Sequence, residues 1–359
     1  MFCILEDCNK EECHHCFPVK HCSYKHAFCK QNGCVREIHH KNRILVTGCG
    51  GFIGFHVCNT LLTQGFEVIG IDNFDPYYDV SIKRNNVDLL RDHKHFCFEE
   101  HDICSTDSIA NWKPYKVIHL ASMAGVRNSI QDPKKYIKVN IEGFIHIMEE
   151  CVKHDVFHVV YASSSSVYGL NKTPFRENDV IGTCNSPYAC SKMSMELFAK
   201  TYTQLYNISC IGLRFFTVYG PHGRPDMAPY KFMKAIMDGT PIPKYGDGTS
   251  SRDYTYISDI VEGILGACRN KTHRKCEVYN LGNSTPITLN SFIKTCEKVC
   301  GKEAIIDPKE DQLGDVPHTF ACIEKAKRDL DYEPKVQIED GLRELHAFIS
   351  NFPPRKNHA

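Results

Sequence analysis

The sequence predicts an α/β chain in which a doubly wound parallel sheet is followed by a smaller C-terminal lobe and preceded by a short Cys/His-rich extension. Three observations predict it. At Arg43 the texture changes from aperiodic Cys/His-rich sequence to short β-branched runs. From there, strand-like runs such as YKVIHLAS and FHVVYASSSS alternate with helix-like stretches over 52–63, 133–154 and 187–206. Such alternation builds a parallel sheet covered by helices. After ISCIGLRFF the alternation loosens and Gly and Pro increase. The expected units are an extension (1–42), a sheet domain (43–215), a substrate lobe interleaved with it (216–345) and a tail (346–359).

The extension comes first. Seven of the 20 cysteines lie before residue 35. Cys8, Cys16, Cys22 and His26 have the spacing of a CCCH zinc finger, and CSYKH resembles the end of such fingers. Thiolate and imidazole ligands suit tetrahedral zinc, and a segment this poor in apolar residues needs a metal to fold. Cys3, Cys13, Cys29, Cys34 and His39 leave the ligand set open, and the alternative is an oxidisable tail. Fingers of this kind bind single-stranded RNA bases, so RNA binding is a minor expectation for the extension.

Composition narrows the remainder. Lys+Arg and Asp+Glu both number 43 in 359 residues, so no overall basic field points to nucleic acid or a membrane surface. No apolar run approaches the roughly 18 residues of a membrane helix, and the N-terminus lacks a signal-peptide pattern. The expectation is a cytoplasmic protein whose later cysteines are reduced, small buried hydrophobes.

The first strand, RILVTG, runs into Gly48, Gly51, Phe52, Ile53 and Gly54. A glycine triad alone is common; between a strand and a helix it marks a Rossmann dinucleotide site. There glycines let the backbone approach a pyrophosphate, and the helix N-terminus offers free N–H groups. The second strand ends at Asp72, beside Asn73 and 18 residues past Gly54. A carboxylate there accepts the adenosine ribose hydroxyls and repels a 2′-phosphate, which favours NAD over NADP. Asp102 and Ile103, after the third strand, are the candidates flanking adenine.

Tyr188 and Lys192 form a YxxxK pair in the helix that Pro187 can start. Positions i and i+4 share a helix face. An ammonium beside a phenol favours the phenolate and lowers its pKa from about 10, which makes a usable general base. Ser163–Ser166 precede the pair at a strand end, where a hydroxyl can reach the reacting oxygen.

With the glycine turn, YxxxK and the serine-rich strand end, the chain resembles the extended short-chain dehydrogenase/reductase family over about residues 43–345. The resemblance makes Tyr188 the base, gives Lys192 its tuning and the nicotinamide ribose, and makes Ser164 the third catalytic residue. Members begin by oxidising C4 of a nucleotide sugar. Dehydratases then use an Asp-Glu pair directly after the catalytic hydroxyl residue, and decarboxylases use a Glu two residues on. Here Ser165 and Ser166 stand at those positions, so turning the 4-keto sugar and reducing its other face is the simplest outcome.

GLRFFTVYGPHGRPDMAPYKF (212–232), IDNFDPYYDVSIKR (71–84) and HLASMAGVR (119–127) resemble the UDP-glucuronate 4-epimerase group. That resemblance implies that Thr217 and Arg224 face the sugar carboxylate, which a guanidinium can grip bidentately. A β-keto acid loses CO2 readily, so a fixed carboxylate protects the intermediate. The competing role for Arg224 is to hold the loop carboxylate Asp226. Arg127 is placed near phosphate or carboxylate, Arg252 on the UDP phosphates, Asp315 on the uridine ribose and Ser165 on the sugar. Leu313 replaces the usual Pro before Gly314-Asp315, and His222 stands where Trp or Arg is common. The alternatives are a UDP-glucose or UDP-N-acetylhexosamine 4-epimerase, a decarboxylase or dehydratase, and a non-catalytic NAD-sensing or RNA-binding protein. The resemblance also implies a homodimer through helices 133–154 and 187–206.

Overall fold

The computed structural model describes residues 40–270, 275–310 and 314–351. The candidate zinc ligands Cys8, Cys16, Cys22 and His26 lie outside the described residues. Twelve strands are described: β1 (His40–Thr47), β2 (Glu67–Asp72), β3 (Phe96–Glu100), β4 (Pro114–His119), β5 (His158–Ser164), β6 (Ser209–Phe215), β7 (Thr217–Tyr219), β8 (Ile242–Tyr245), β9 (Ser251–Tyr256), β10 (Cys276–Leu281), β11 (Pro286–Thr288) and β12 (Ile306–Lys309). The main sheet has the order β10-β6-β5-β4-β1-β2-β3. Its β1–β2, β2–β3, β4–β5, β5–β6 and β6–β10 pairs are parallel.

Successive side chains of a strand point to opposite faces, and helices cover both faces here. Val46, Ile118, Val160 and Leu213 therefore join one core, under helices Phe52–Thr63 and Ile257–Arg269. Leu45, Val117, Val159 and Tyr161 join the other, under helices Gly143–Lys153 and Pro187–Tyr206. This explains why the strands read as continuous apolar runs. The sheet order reverses between β1 and β4, and a crevice opens there at the strands' C-terminal ends.

The lobe has its own sheet, β11-β9-β7, a parallel pair β12-β8, and a third core around Tyr219, Phe232, Tyr254, Phe292 and Leu342. The chain returns from it to lay β10 beside β6, so lobe and sheet interleave. Among the described residues, no helix is long and apolar enough to cross a membrane.

Helices Phe52–Thr63 and Pro187–Tyr206 occupy the predicted spans. The 133–154 stretch differs: a π-helical run, Ile137–Glu142, separates helices Pro133–Tyr136 and Gly143–Lys153. A π-turn fits an extra residue into the helix. The inserted turn directs the fully buried Asn140 inward, where it accepts from Met123 N (2.7 Å) and donates to Met123 O and Ser191 Oγ (both 2.9 Å).

Gly212 sits mid-sheet because a Cβ there would stand 2.6 Å from the Tyr161 hydroxyl. Gly212→Ala should therefore cost roughly 1–3 kcal/mol of stability through overpacking. Urea unfolding checks this, and an unchanged midpoint would show that the sheet relaxes around the added methyl.

Candidate active site

Gly48 turns at φ +75, and its N–H donates to Ile71 O at 2.7 Å, closing β1 onto β2. A Cβ on Gly54 would stand 2.0 Å from Gly48 O, so only glycine lets the helix sit this close to the turn. The helix N-cap is Gly51, which offers no side chain to the first N–H groups and leaves them for a ligand. Asp72, at the end of β2, accepts from Gly50 N (3.0 Å) and Phe74 N (2.8 Å). It thus fixes the turn as well as facing the crevice. Burial pushes its carboxyl above the usual range, opposed by nearby Lys83 and those two N–H bonds. Bare glycine backbone, an open helix end and a strand-end carboxylate together fit NAD.

A cleft of about 760 Å³ runs from this turn to the lobe. Gly48, Gly51, Phe52, Ile53, Gly54, Asp72, Asn73 and Ile103 line one end. Ser164, Ser165, Tyr188 and Lys192 line its middle, and Thr217, Arg224, Arg127, Arg252 and Asp315 line its far side. Asp102 is not among the lining residues. It accepts from Cys104 N at 2.8 Å and from Asn73 Nδ2 at 3.3 Å, so it braces the loop that carries its neighbours.

Ser186 caps helix Pro187–Tyr206 by accepting from Ala189 N at 3.1 Å, with Pro187 in the first turn. Cap and proline fix where the helix begins, and so where Tyr188 stands. Ser164, at the end of β5, shares a hydrogen bond with Tyr188. Lys192 follows one turn later and is almost wholly buried, but its Nζ donates to Ala162 O at 2.8 Å.

The expected depression of the Tyr188 pKa by Lys192 is not what this geometry produces. Burial pushes the Tyr188 phenol up; the Ser164 hydrogen bond and the Arg224 charge oppose it, and Lys192 is not among its perturbing groups. Burial also lowers Lys192 itself to about 7. The Lys192 ammonium is directed to the backbone carbonyl of Ala162 and not to the phenol.

Two further expected site residues are already paired with carboxylates. Arg224 Nε and Nη2 grip Asp226 at 3.0 and 2.5 Å, so its guanidinium holds the loop carboxylate here. Arg127 Nη2 pairs with Asp315 at 2.9 Å and lies over the Tyr245 ring at 4.6 Å, which joins two residues expected to act separately. Arg252 donates to Ser251 O and Pro317 O.

The sequence did not single out the network behind the site. Glu196, one turn beyond Lys192, accepts from Ser163 Oγ (2.6 Å), Arg214 Nε (2.9 Å) and Arg214 Nη2 (2.7 Å). Arg214 Nη1 donates to the Tyr168 hydroxyl, which donates to Asn280 Oδ1 at 2.7 Å. All five are buried. The i+4 spacing from Lys192 to Glu196 was a signal for this network; its partners on β5 and β6 had none. Tyr77 and Tyr136 were also missed. Their hydroxyls are hydrogen-bonded, and the Tyr136 ring meets Tyr188 edge-on at 6.1 Å.

Comparison with known proteins places this geometry. A family model described as GDP-mannose 4,6 dehydratase matches residues 45–345. The chain belongs to this family. The match begins inside β1 and takes in both the sheet and the lobe. Family relatives include the UDP-glucuronate 4-epimerase of Thermodesulfobacterium geofontis, 40% identical over 304 residues, which are 83% of this chain and 93% of that protein. A Bacillus cereus UDP-glucuronic acid 4-epimerase, solved with UDP-glucuronic acid and NAD, superposes with a TM-score of 0.83 at 35% identity, covering 86% of this chain and 99% of that one. A Thermotoga maritima UDP-glucose 4-epimerase, solved with UDP-glucose, gives 0.78 at 30% identity, with coverage of 86% and 99%.

Glu196→Gln would leave the buried Arg214 charge uncompensated and should cost roughly 3–5 kcal/mol. Ser163→Ala removes one hydrogen bond to a charged acceptor and should cost about 1.5–3 kcal/mol. Denaturant unfolding of both checks the order, and equal losses would show that the ion pair adds nothing.

Proposed function

We propose that the chain is an NAD-dependent 4-epimerase of UDP-sugars that converts UDP-glucuronate to UDP-galacturonate. The observation that carries this is one cleft presenting Ser164, Tyr188 and Lys192 opposite Thr217 and Arg224, with no carboxylate directly after Ser164. The relatives that act on UDP-glucuronate support the same substrate.

The glycine turn, Asp72 and Lys192 would hold NAD, which supplies a reversible two-electron acceptor beside Tyr188. Ser164 donates a hydrogen bond to the sugar 4-oxygen and keeps it against the phenol. Tyr188 takes the 4-hydroxyl proton as C4 is oxidised and returns it to the oxygen of the opposite epimer. Burial raises the pKa of the phenol, and the Ser164 hydrogen bond and the Arg224 charge lower it. Arg127 and Arg252 anchor the diphosphate, and Asp315 faces the uridine ribose. Ser165 and Ser166 offer neither acid nor base for elimination.

A neutral UDP-hexose is the second substrate class, favoured by one observation: Arg224 is already neutralised by Asp226. The chain acts as a homodimer in the cytoplasm. The helical stretch from Pro133 and helix Pro187–Tyr206 expose Ile137, Leu197 and Leu205, an apolar surface that a second copy can cover. The described cysteines are free thiols, as a reducing compartment keeps them.

Incubation with UDP-glucuronate, followed by NMR, should yield UDP-galacturonate. Released CO2 would make the chain a decarboxylase, and no turnover of any UDP-sugar would remove the enzyme assignment. Tyr188→Phe should abolish turnover while lowering stability by only about 0.5–1.5 kcal/mol, the worth of its hydrogen bond to Ser164. Arg224→Leu should impair the uronate far more than UDP-glucose; equal impairment would exclude a carboxylate clamp.

A further inference from the structure

Arg224 and Asp226 stand two residues apart on the turn that Met227 N closes onto Arg224 O at 3.2 Å. Both line the cleft, on the side of Thr217. Both oxygens of Asp226 are bound, one by Nε and one by Nη2, in the fork that a guanidinium offers any carboxylate. The two partners are held very differently. The Arg224 side chain is 17% exposed and lies over the Tyr77 ring at 5.0 Å. Tyr77 is tied to Tyr136, whose hydroxyl donates to Ala124 O at 2.8 Å. The Asp226 side chain is 39% exposed. Arg224 is built into the wall, whereas Asp226 can turn to water at little cost.

We propose that Asp226 is an internal stand-in for the substrate carboxylate: it occupies Arg224 until an acidic sugar displaces it, and this exchange sets the discrimination between uronic and neutral sugars. The inference rests on the proposed action on UDP-sugars and deepens it. Asp226 fills the Nε/Nη2 fork, so a uronate gains bidentate hold of that edge only by displacing it, and one bound at the remaining Nη1 side lies beside the Asp226 charge. The uronate therefore takes the fork and Asp226 rotates into solvent. A neutral hexose brings nothing that competes, and the pair stays closed beneath it. The buried guanidinium is thus never left without a counter-charge, with or without substrate.

The test is the full-length Asp226→Asn variant loaded with NAD, with binding of UDP-glucuronate and UDP-glucose measured by calorimetry. Asn keeps the shape and one acceptor oxygen but competes without a charge. The Kd for UDP-glucuronate should fall by about two- to five-fold, the range set by a partly exposed ion pair. That for UDP-glucose should stay unchanged, and the gain should vanish in an Arg224→Leu background. Weaker or unchanged uronate binding, or an equal shift for both sugars, overturns the inference by making Asp226 a brace for Arg224. The outcome is separable from the proposed reaction. Wild-type protein that binds both sugars but epimerises neither refutes the reaction, and the binding comparison still decides the role of Asp226.

Discussion

The site depends on one buried contact, the grip of Glu196 on Arg214 and Ser163. Ser164 ends a strand, whereas Tyr188 and Lys192 lie on a helix that packs across the sheet. Lys192 Nζ ties the helix to the strand backbone at Ala162 O. Glu196 is on that helix and Ser163 precedes Ser164, so their hydrogen bond fixes the strand end against the helix. Arg214, on β6, neutralises the carboxylate and carries the register on to Tyr168 and Asn280. On the other side, Asn140 clamps Ser191 to Met123 and so holds the helix against the opposite wall of the crevice. A fully satisfied buried network is costly to distort, which is why it can hold reacting groups in place.

Three of the cleft's carboxylates are held in ion pairs. Asp315 meets Arg127, Asp75 meets Lys135 at 2.8 Å, and Asp226 meets Arg224. Tyr188 is left with burial as its dominant influence, opposed mainly by the Ser164 hydrogen bond and Arg224. A phenol in that setting becomes a base only when its surroundings supply net positive field. This ties the chemistry to what occupies the cleft more closely than a YxxxK motif implies.

What the sequence revealed was whatever chemistry keeps local. The glycine turn is legible because Gly48 and Gly54 meet where the strand turns into the helix, and the helix start at Pro187 because Ser186 caps it. The sheet was legible because burial on both faces leaves continuous apolar runs. Features built from distant residues were not. Arg127 meets Asp315 across 188 residues, so each appeared as an independent ligand contact. Lys192 keeps the spacing of a partner for Tyr188, yet the carbonyl of Ala162 competes for its ammonium. Asp102 also accepts from the backbone of Cys104, a contact that its position after the third strand did not reveal. The π-turn at Ile137–Glu142 has no period a helix pattern would reveal.

The central claim is that the hydrogen on C4 leaves and returns within the cleft while Tyr188 moves only the hydroxyl proton. UDP-glucuronate carrying deuterium at C4 tests it most directly. The account predicts UDP-galacturonate that retains the deuterium at C4 in ordinary water. Product whose C4 label has exchanged with solvent would contradict it.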